Sequence, residues 1–217
     1  MKIWFISDTH CLHDKLDIPE VDMVVHCGDE SNSRNVHANH IEATRFFQWY
    51  RNLPIKHKVY VPGNHSIAVW QKHIAPTDYP EIKFLIHQGA TIGGVGIFGS
   101  PYTPRFGDWA FMRKRNQMAD VWENIPECDI LVTHGPPKGI LDLAEDFDSG
   151  HIVQVGCKSL LNTVMATKPL IHAFGHIHDE ESFFNYGILR RDEIRFINCA
   201  CLNHKKGTIH NGFVVDL

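Results

Sequence analysis

Two histidines separated by one residue, His176 and His178, follow the apolar run Leu170 to Phe174. If the backbone stays extended, both side chains point the same way, because side chains alternate along a strand with a period of two residues. Both imidazoles could then reach one cluster of metal ions. A loop that carries two solvated histidines would explain the pair equally well. The choice depends on whether other segments end in ligands of the same kind.

Four other apolar segments end in residues that commonly bind metal ions. Seven oxygen and nitrogen ligands are too many for one ion and suit two ions that share a bridging carboxylate. The set has no cysteine, which argues against a structural zinc site of the finger type. Imidazole and carboxylate ligands together fit Mn, Fe, Zn or Co, with Mn as our first expectation. The candidate metal ligands are Asp8, His10, Asp29, Asn64, His134, His176 and His178.

The segments that deliver these ligands have the pattern of buried β-strands. Each is a short, continuous apolar run that stops abruptly at polar residues, as strands covered on both faces do. Gly28, Gly63 and Gly175 stand directly before ligands, where glycine lets the backbone turn sharply and approach an ion closely. We predict strands over Lys2 to Ser7, Met23 to Cys27, Lys58 to Pro62, Asp129 to Thr133 and Leu170 to Phe174.

Several segments between these strands have helical periodicity. Apolar residues recur at i, i+3, i+4 and i+7 from Ala43 to Tyr50, which predicts an amphipathic helix that Pro54 brings to an end. A second helix runs to about Trp122, and a third includes Leu160 to Met165. A strand, helix, strand unit implies parallel pairing with a right-handed crossover, which collects the ligands at the carboxyl edge of a sheet.

The middle section and the tail predict further short strands. Gly93-Gly94 is a good hairpin signal between Ala90 to Ile92 and Val95 to Gly99, and we expect Phe84 to Ile86 to belong to the same antiparallel section. In the tail we expect a second sheet, with strands at Phe183-Phe184, Ile194 to Ile197 and Phe213 to Val215.

Composition places the chain among ordinary globular proteins. With 217 residues, 43% hydrophobic and 21% charged, it suits one domain over residues 1–217. A net charge of −4 provides no basic surface for nucleic acid, so an anionic substrate needs a local site such as bound metal ions. We find no signal peptide and no apolar run of membrane-spanning length, and we expect a cytoplasmic protein. The six cysteines lack Cys-x-x-Cys spacing and should be reduced, mostly buried thiols.

Taken in order, five motifs resemble those of the calcineurin-like metallophosphoesterase family. They are Asp8-Thr9-His10, Gly28-Asp29, Gly63-Asn64-His65, His134-Gly135 and Gly175-His176-Ile177-His178. The resemblance implies an α/β fold, a four-layer α-β-β-α sandwich of two mixed β-sheets flanked by helices. The branch of small metallophosphoesterase-domain proteins with phosphodiesterase activity is similar in a narrower set of segments. These are Asn52-Leu53-Pro54, Gly99-Ser100-Pro101, His134-Gly135-Pro136-Pro137 and Val155-Gly156-Cys157 through Leu161.

The resemblance also implies a role for each ligand. The first metal would be held by Asp8, His10, Asp29 and His178. The second would be held by Asp29, Asn64, His134 and His176, so that Asp29 is the bridge. Two cations about 3.5–4 Å apart would hold the phosphate oxygens and lower the pKa of a shared water that attacks phosphorus. The catalytic residues are then Asp29 and His65. His65 would protonate the leaving oxygen or stabilise the developing charge and, with Asn64, would contact the substrate.

The chain departs from the family pattern at two places. Ser66 stands where the family usually has an acidic residue that helps to orient the histidine. Another carboxylate has to act in its place, or His65 is less well poised. Asp29 is followed by Glu30-Ser31-Asn32 instead of the arginine-containing continuation of protein Ser/Thr phosphatases, which counts against a phosphoprotein substrate.

Three residues outside the motifs are candidates for substrate contacts. His151 precedes a segment where this branch has substrate-facing residues, and Arg105 and Tyr102 lie in the loop after Ser100-Pro101. We expect Lys205-Lys206 in a solvated turn and the remaining histidines on the surface or as satisfied core groups. These histidines are His13, His26, His37, His40, His57, His73, His87, His172, His204 and His210.

The sequence therefore predicts a dinuclear-metal phosphodiesterase that acts on a small phosphate ester, such as a cyclic nucleotide. A broad-specificity phosphomonoesterase is the first alternative, and a metal-binding interaction module without turnover is the second. A nuclease is disfavoured, because basic stripes and a capping domain are missing. The sequence leaves a homo-oligomer open.

Overall fold

The computed structural model describes residues 1–146, 148–180, 182–203 and 208–217. The α-helices are α1 Val36–Arg51, α2 Ile67–Trp70, α3 Met118–Trp122 and α4 Lys158–Thr167. The strands are β1 Lys2–Ile6, β2 Met23–His26, β3 His57–Tyr60, β4 Lys83–Phe84, β5 Gln88–Ile92, β6 Val95–Ser100, β7 Thr103–Pro104, β8 Met112–Arg113, β9 Ile130–Thr133, β10 Leu143–Glu145, β11 Ile152–Gln154, β12 Ile171–Phe174, β13 Gly187–Arg191, β14 Ile194–Asn198, β15 Leu202–Asn203, β16 Thr208–Ile209 and β17 Phe213–Asp216.

Two mixed sheets form the centre of the fold. The first has the order β17-β1-β2-β3-β4, in which β1 to β4 are parallel and β17 pairs antiparallel with β1. The second has the order β13-β14-β12-β9-β6-β5, with parallel pairing from β14 to β6 and an antiparallel strand at each edge. The parallel strands end at the same edge of their sheet, so the loops after them meet there.

Three buried apolar clusters lie between the layers. The middle cluster joins the two sheets and includes Phe5, Val132 and Ile197. Outside the first sheet, α1 and α2 pack Phe46 and their other apolar residues, and outside the second sheet α3 and α4 pack Trp122. The predicted four-layer α-β-β-α sandwich is therefore confirmed. Its strands have apolar residues on both faces because both faces of each sheet are covered.

The predicted helices and hairpin are present. Asn35 caps α1 by accepting a hydrogen bond from the backbone N–H of Ala38 at 3.0 Å. Gly93 and Gly94 form the turn between β5 and β6 with positive φ angles of 60° and 87°, which favour glycine. The six cysteines are free, and four of them are buried. Every helix among the described residues is too short or too polar to span a membrane.

Two predictions about strands are wrong. The segment that begins at Phe84 does not join the antiparallel section, because β4 pairs parallel with β3 in the first sheet. Phe183-Phe184 is not a strand, and the side chain of Phe184 is 72% exposed. The carboxylate of Asp179 accepts the backbone N–H groups of Asn185 and Tyr186 at 2.6 and 2.8 Å, so a neighbouring strand cannot use them.

The tail does not form one sheet. β14 lies in the second sheet, whereas β17 lies at the edge of the first, against β1. The expectations for His204 and for Lys205-Lys206 lie outside the described residues.

Candidate metal centre

The loops after β1, β2, β3, β9 and β12 bring the predicted ligands together at the carboxyl edges of the two sheets. Asp8, His10, Asp29 and His176 have positive φ angles of 52°, 39°, 60° and 71°. This left-handed conformation costs a residue with a Cβ roughly 1–2 kcal/mol. Such strain is typical of functional sites, where the surrounding structure holds a residue in an unfavourable geometry.

Asp8, His10 and His178 form a first group of metal-ligand type. Their ligand atoms all lie within 4.8 Å of one another, and the three side chains are buried. His178 Nε2 lies 3.0 Å and His10 Nε2 lies 3.9 Å from Asp8 Oδ1. The Nδ1–H of His10 donates to the carbonyl of Ser31 at 3.0 Å, which directs Nε2 toward the carboxylate.

Asp29, His134 and His176 form a second group within the same distance limit. His134 Nε2 lies 3.2 Å from Asp29 Oδ2 and 2.9 Å from Asn64 Oδ1. The Nδ1–H of His134 donates to the carbonyl of Cys27 at 2.9 Å and so fixes the ring orientation. Asn64 is therefore part of this group, as the resemblance implies. Metal binding by either group stays a prediction.

The pKa values in the two groups reflect burial and mutual attraction. Burial acts to raise the pKa of Asp8 and of Asp29, but the surrounding histidines together outweigh it, with His178 contributing most for Asp8 and His134 for Asp29, so both pKa values lie below the ordinary range. Burial acts to lower the pKa of His134, but Asp29 raises it to about 9. Burial lowers the pKa of His10 to about 4 and that of His176 to about 3. Each group thus contains an ionised carboxylate and a neutral imidazole, as metal binding requires, whereas His134 is protonated at neutral pH and would release that proton on binding a metal ion.

This donor set fits two divalent cations. Buried carboxylates are costly unless positive charge compensates them, and the surrounding imidazoles can instead become ligands. Gly175 has no room for a side chain, because a Cβ there would overlap the carboxylate of Asp8. A Cβ at Gly63 would likewise overlap the carboxylate of Asp29. The two glycines therefore allow the close packing of both groups.

His65 stands beside the second group. Its backbone N–H donates to Asp29 Oδ1 at 2.6 Å, and its Nδ1–H donates to the carbonyl of Asn32 at 3.0 Å. Its ring lies 4.8 Å from that of His10, measured between centroids. The predicted catalytic histidine thus contacts residues from both groups, and a backbone carbonyl orients it.

A carboxylate does occupy the space next to Ser66. The hydroxyl of Ser66 donates to Glu30 Oε2 at 2.6 Å, and Tyr60 donates to the same oxygen at 2.6 Å. Ser66 also accepts the backbone N–H of Gly63 at 2.8 Å. Burial raises the pKa of Glu30. Glu30 therefore joins the loop that carries Asp29 to the loop that carries His65, although it does not contact the imidazole of His65.

The other predicted substrate contacts have local partners. Arg105 forms an ion pair with Asp108 at 3.0 Å, and the guanidinium of Arg113 lies 4.4 Å from the ring of Tyr102. His151 is exposed, and its backbone N–H lies 3.4 Å from the hydroxyl of Ser149. In the described part of the chain, these contacts do not connect Arg105 or His151 to the ligand groups. Their substrate roles stay predictions.

Sequence reasoning missed three residues at the mouth of the site. The ring of Phe106, 54% exposed, lies 5.3 Å from that of His176. The ring of Trp109 lies 4.2 Å from that of His65, and the guanidinium of Arg34 lies 3.8 Å from the centre of Trp109. All three lie in loops without periodicity, so no sequence pattern indicates these contacts.

Two buried histidines have roles that the sequence did not indicate. His26 accepts the backbone N–H of Gly28 on Nδ1 at 3.2 Å, and its Nε2 lies 3.2 Å from the hydroxyl of Thr9. His172 bonds Thr133 at 2.8 Å, and Thr133 donates to the carbonyl of Gly135. His26 is a satisfied core group, as predicted, whereas the buried Nδ1 of His172 has no hydrogen-bond partner among the described residues. Both histidines also support loops that carry candidate ligands.

Comparisons with known proteins agree with this geometry. A sequence model of calcineurin-like phosphoesterases matches residues 1–180. The human metallophosphoesterase domain-containing protein 1 is 30% identical over 98% of this chain and 69% of its own length. The UPF0046 protein K07C11.7 of Caenorhabditis elegans is 31% identical over 94% of this chain and 70% of its own.

Solved structures share the fold. The structure of TT1561 from Thermus thermophilus aligns with a TM-score of 0.61 at 13% identity, and covers 92% of this chain and 90% of its own. Another aligns with a TM-score of 0.66 at 17% identity and covers 91% of this chain and 89% of its own. At these identities the likeness concerns the fold alone.

Proposed function

The chain belongs to the calcineurin-like phosphoesterase family, and on that basis we propose that it is a metal-dependent hydrolase of small phosphodiesters, cyclic nucleotides included. The observation that carries the proposal is the convergence of two groups of metal-ligand type, with His65 against both. Each group suits one divalent cation, for which we favour Mn²⁺.

The proposed roles follow from the contacts of each residue. When bound, two divalent cations would supply positive charge for the phosphate and acidify the attacking water. The resemblance implies that Asp29 would serve both cations; its Oδ2 faces His134, and its Oδ1 accepts the backbone N–H of His65. Because Nδ1–H of His65 donates to Asn32, the proton for the leaving oxygen would be carried on Nε2. An ester with a poorly stabilised leaving oxygen would depend most on this proton.

The test compares the hydrolysis of a bis-aryl phosphate and a mono-aryl phosphate by purified protein with added Mn²⁺. We expect metal-dependent turnover with a higher kcat/KM for the diester. Asp29→Asn should abolish turnover, whereas Asp192→Asn, which removes an exposed carboxylate, should retain it. Preference for the monoester would contradict the diesterase assignment. Absence of hydrolysis across both esters and cyclic nucleotides, with two metals bound, would favour a non-catalytic module.

The cytoplasmic location, the homo-oligomer and the single domain over residues 1–217 stay predictions. So does the absence of membrane and nucleic acid partners. Each is independent of the hydrolysis test.

A further inference from the structure

Trp109 contacts both the proposed acid and a positively charged side chain. The ring of His65 is 4.2 Å and the guanidinium carbon of Arg34 is 3.8 Å from the ring centre of Trp109. The indole therefore joins His65 and Arg34 into one cluster beside the second ligand group.

The segment that carries Arg34 is fixed relative to His65. The buried side chain of Asn39 donates to the carbonyls of both Ser33 and His65, at 2.9 and 2.8 Å. Asn35, the next residue, caps α1. The position of Arg34 is thus set by hydrogen bonds on its own segment as well as by the stacking. A cation placed in this way loses little further side-chain entropy when it binds an anion.

The charge of Arg34 has no acidic partner in the described part of the chain. Its side chain is exposed, and no described carboxylate lies within 4.0 Å of it. Arg105, in the loop that also carries Trp109, differs because Asp108 pairs with it at 3.0 Å. A guanidinium that stacks on an aromatic ring keeps the N–H donors in its plane available for a carboxylate or phosphate.

We propose that Arg34 and Trp109 form a subsite for a leaving group that carries a negative charge of its own. This inference rests on the proposed function, in which His65 protonates the leaving oxygen. The leaving group then departs past His65, toward Trp109 and Arg34. The substrate class is a phosphoester whose alcohol or phenol bears a carboxylate or a second phosphate-type group, held by the in-plane donors of Arg34.

The experiment uses methyl phosphodiesters of three phenols with the Mn²⁺-loaded protein. The leaving groups are 4-hydroxybenzoate, its neutral methyl ester and 4-hydroxyphenylphosphonate. For each substrate, the kcat/KM of a variant is divided by that of the wild type, which cancels the intrinsic reactivity of the ester. The variants are Arg34→Gln, Arg105→Gln and, as a matched control, Arg51→Gln, which removes an arginine that pairs with Glu81 away from the site.

Arg34→Gln should lower kcat/KM about 10-fold or more for the two charged leaving groups, the loss expected for a hydrogen bond to a charged group. The neutral ester should change by less than about threefold. Comparison of the two charged substrates shows whether carboxylate or phosphonate is preferred. Equal losses on all three substrates, or a charge-dependent loss that follows Arg105 instead, would overturn the proposal.

A binding measurement separates failure of the subsite from failure of the proposed function. 4-Carboxybenzylphosphonate and its carboxylate methyl ester resist hydrolysis, and their Kd values can be measured by calorimetry. We expect the wild type to bind the free carboxylate more tightly and Arg34→Gln to remove that difference. If no ester is hydrolysed but this discrimination is present, the function fails and the subsite stands. If neither hydrolysis nor discrimination is observed, both fail.

Discussion

The backbone conformation of one residue, His176, directs the rings of His176 and His178 to different ligand groups. An extended backbone would point both rings the same way, but β12 ends at Phe174 and His176 has a φ of 71°. The ring of His176 consequently lies with Asp29, and the ring of His178 lies with Asp8. The periodicity predicts the two ligands and the resemblance implies their division between two groups, but neither predicts the left-handed backbone of His176 that produces the division.

This division predicts that the two histidines affect different metal sites. His176→Ala should weaken the site with Asp29 and His134, and His178→Ala should weaken the site with Asp8 and His10. Calorimetric titration of the metal-free protein with Mn²⁺ measures both affinities. We expect about 10-fold or greater loss at one site in each variant. If both variants lost the same ion, the division would be refuted.

His65 should affect the chemical step and leave metal binding intact. His65→Gln should lower kcat by about 10²–10⁴-fold for an alkyl leaving group, the usual contribution of a general acid. A 4-nitrophenolate leaving group needs little protonation, so its loss should be much smaller. Steady-state kinetics on the two diesters and metal analysis of the variant check this. Equal losses on both esters, or loss of a metal, would contradict the role of His65.

At the scale of elements, the loops after β2 and β3 are joined by a buried carboxylate. Glu30, Ser66 and Tyr60 are all buried, and both hydroxyls donate to Glu30 Oε2. Ser66 also accepts the backbone N–H of Gly63. Removal of the Ser66 hydroxyl would leave this N–H without its partner and would take one of the two hydroxyl donors from Glu30 Oε2. Buried polar groups that lose their partners account for large destabilisations.

Ser66→Ala should therefore lower the free energy of unfolding by about 1–3 kcal/mol. Urea denaturation measures the change. Ser149→Ala, which removes an exposed hydroxyl, should change it by less than about 0.5 kcal/mol. Tyr60→Phe removes the second donor, and the double variant should depart from additivity by at least about 0.5 kcal/mol because the two hydroxyls share one oxygen. Additive effects would show that Glu30 does not couple the two loops.

The elements that could be predicted from the sequence are those that are buried in the same way along their whole length. β1, β2, β9 and β12 are covered on both faces, so each is a short run of mostly apolar residues in the sequence. Phe183-Phe184 is equally apolar but is not a strand, and the two backbone donors that follow it bond to the carboxylate of Asp179. A side-chain interaction of that kind leaves no periodic signal.

At the scale of the whole molecule, the candidate metal ligands could be predicted from the sequence. They belong to motifs that follow strands, and the order of these motifs along the chain indicates that the strand ends meet. The contacts around Trp109 could not be predicted, because Arg34, His65 and Trp109 come from three loops that meet only through the packing of the complete fold. Glu30 and Ser66 are two separate departures from the family pattern in the sequence, and the structure shows that they contact each other.

Two histidines buried on opposite sides of the sandwich make the stability of the whole molecule depend on pH. Burial lowers the pKa of His26 and of His172 to about 3, against an ordinary value of 6.5. As the pH falls below about 6.5, the unfolded chain takes up a proton at each position and the folded chain does not. Their contribution to stability is therefore complete above pH 6.5 and is progressively lost toward pH 3.

Each of these histidines should make the free energy of unfolding of the metal-free protein fall by about 1.4 kcal/mol per pH unit between pH 6 and 4. His172→Gln retains an amide that can donate to Thr133 but cannot titrate, so it should remove about that much from the slope. Guanidinium denaturation at pH 7.5, 6, 5 and 4 measures the slope, and His37→Gln, which replaces an exposed histidine, is the control. An unchanged slope in His172→Gln would mean that the folded protein admits a proton at His172. In that case, the hydrogen bond between His172 and Thr133, which supports the His134-Gly135 turn, would not require a neutral imidazole.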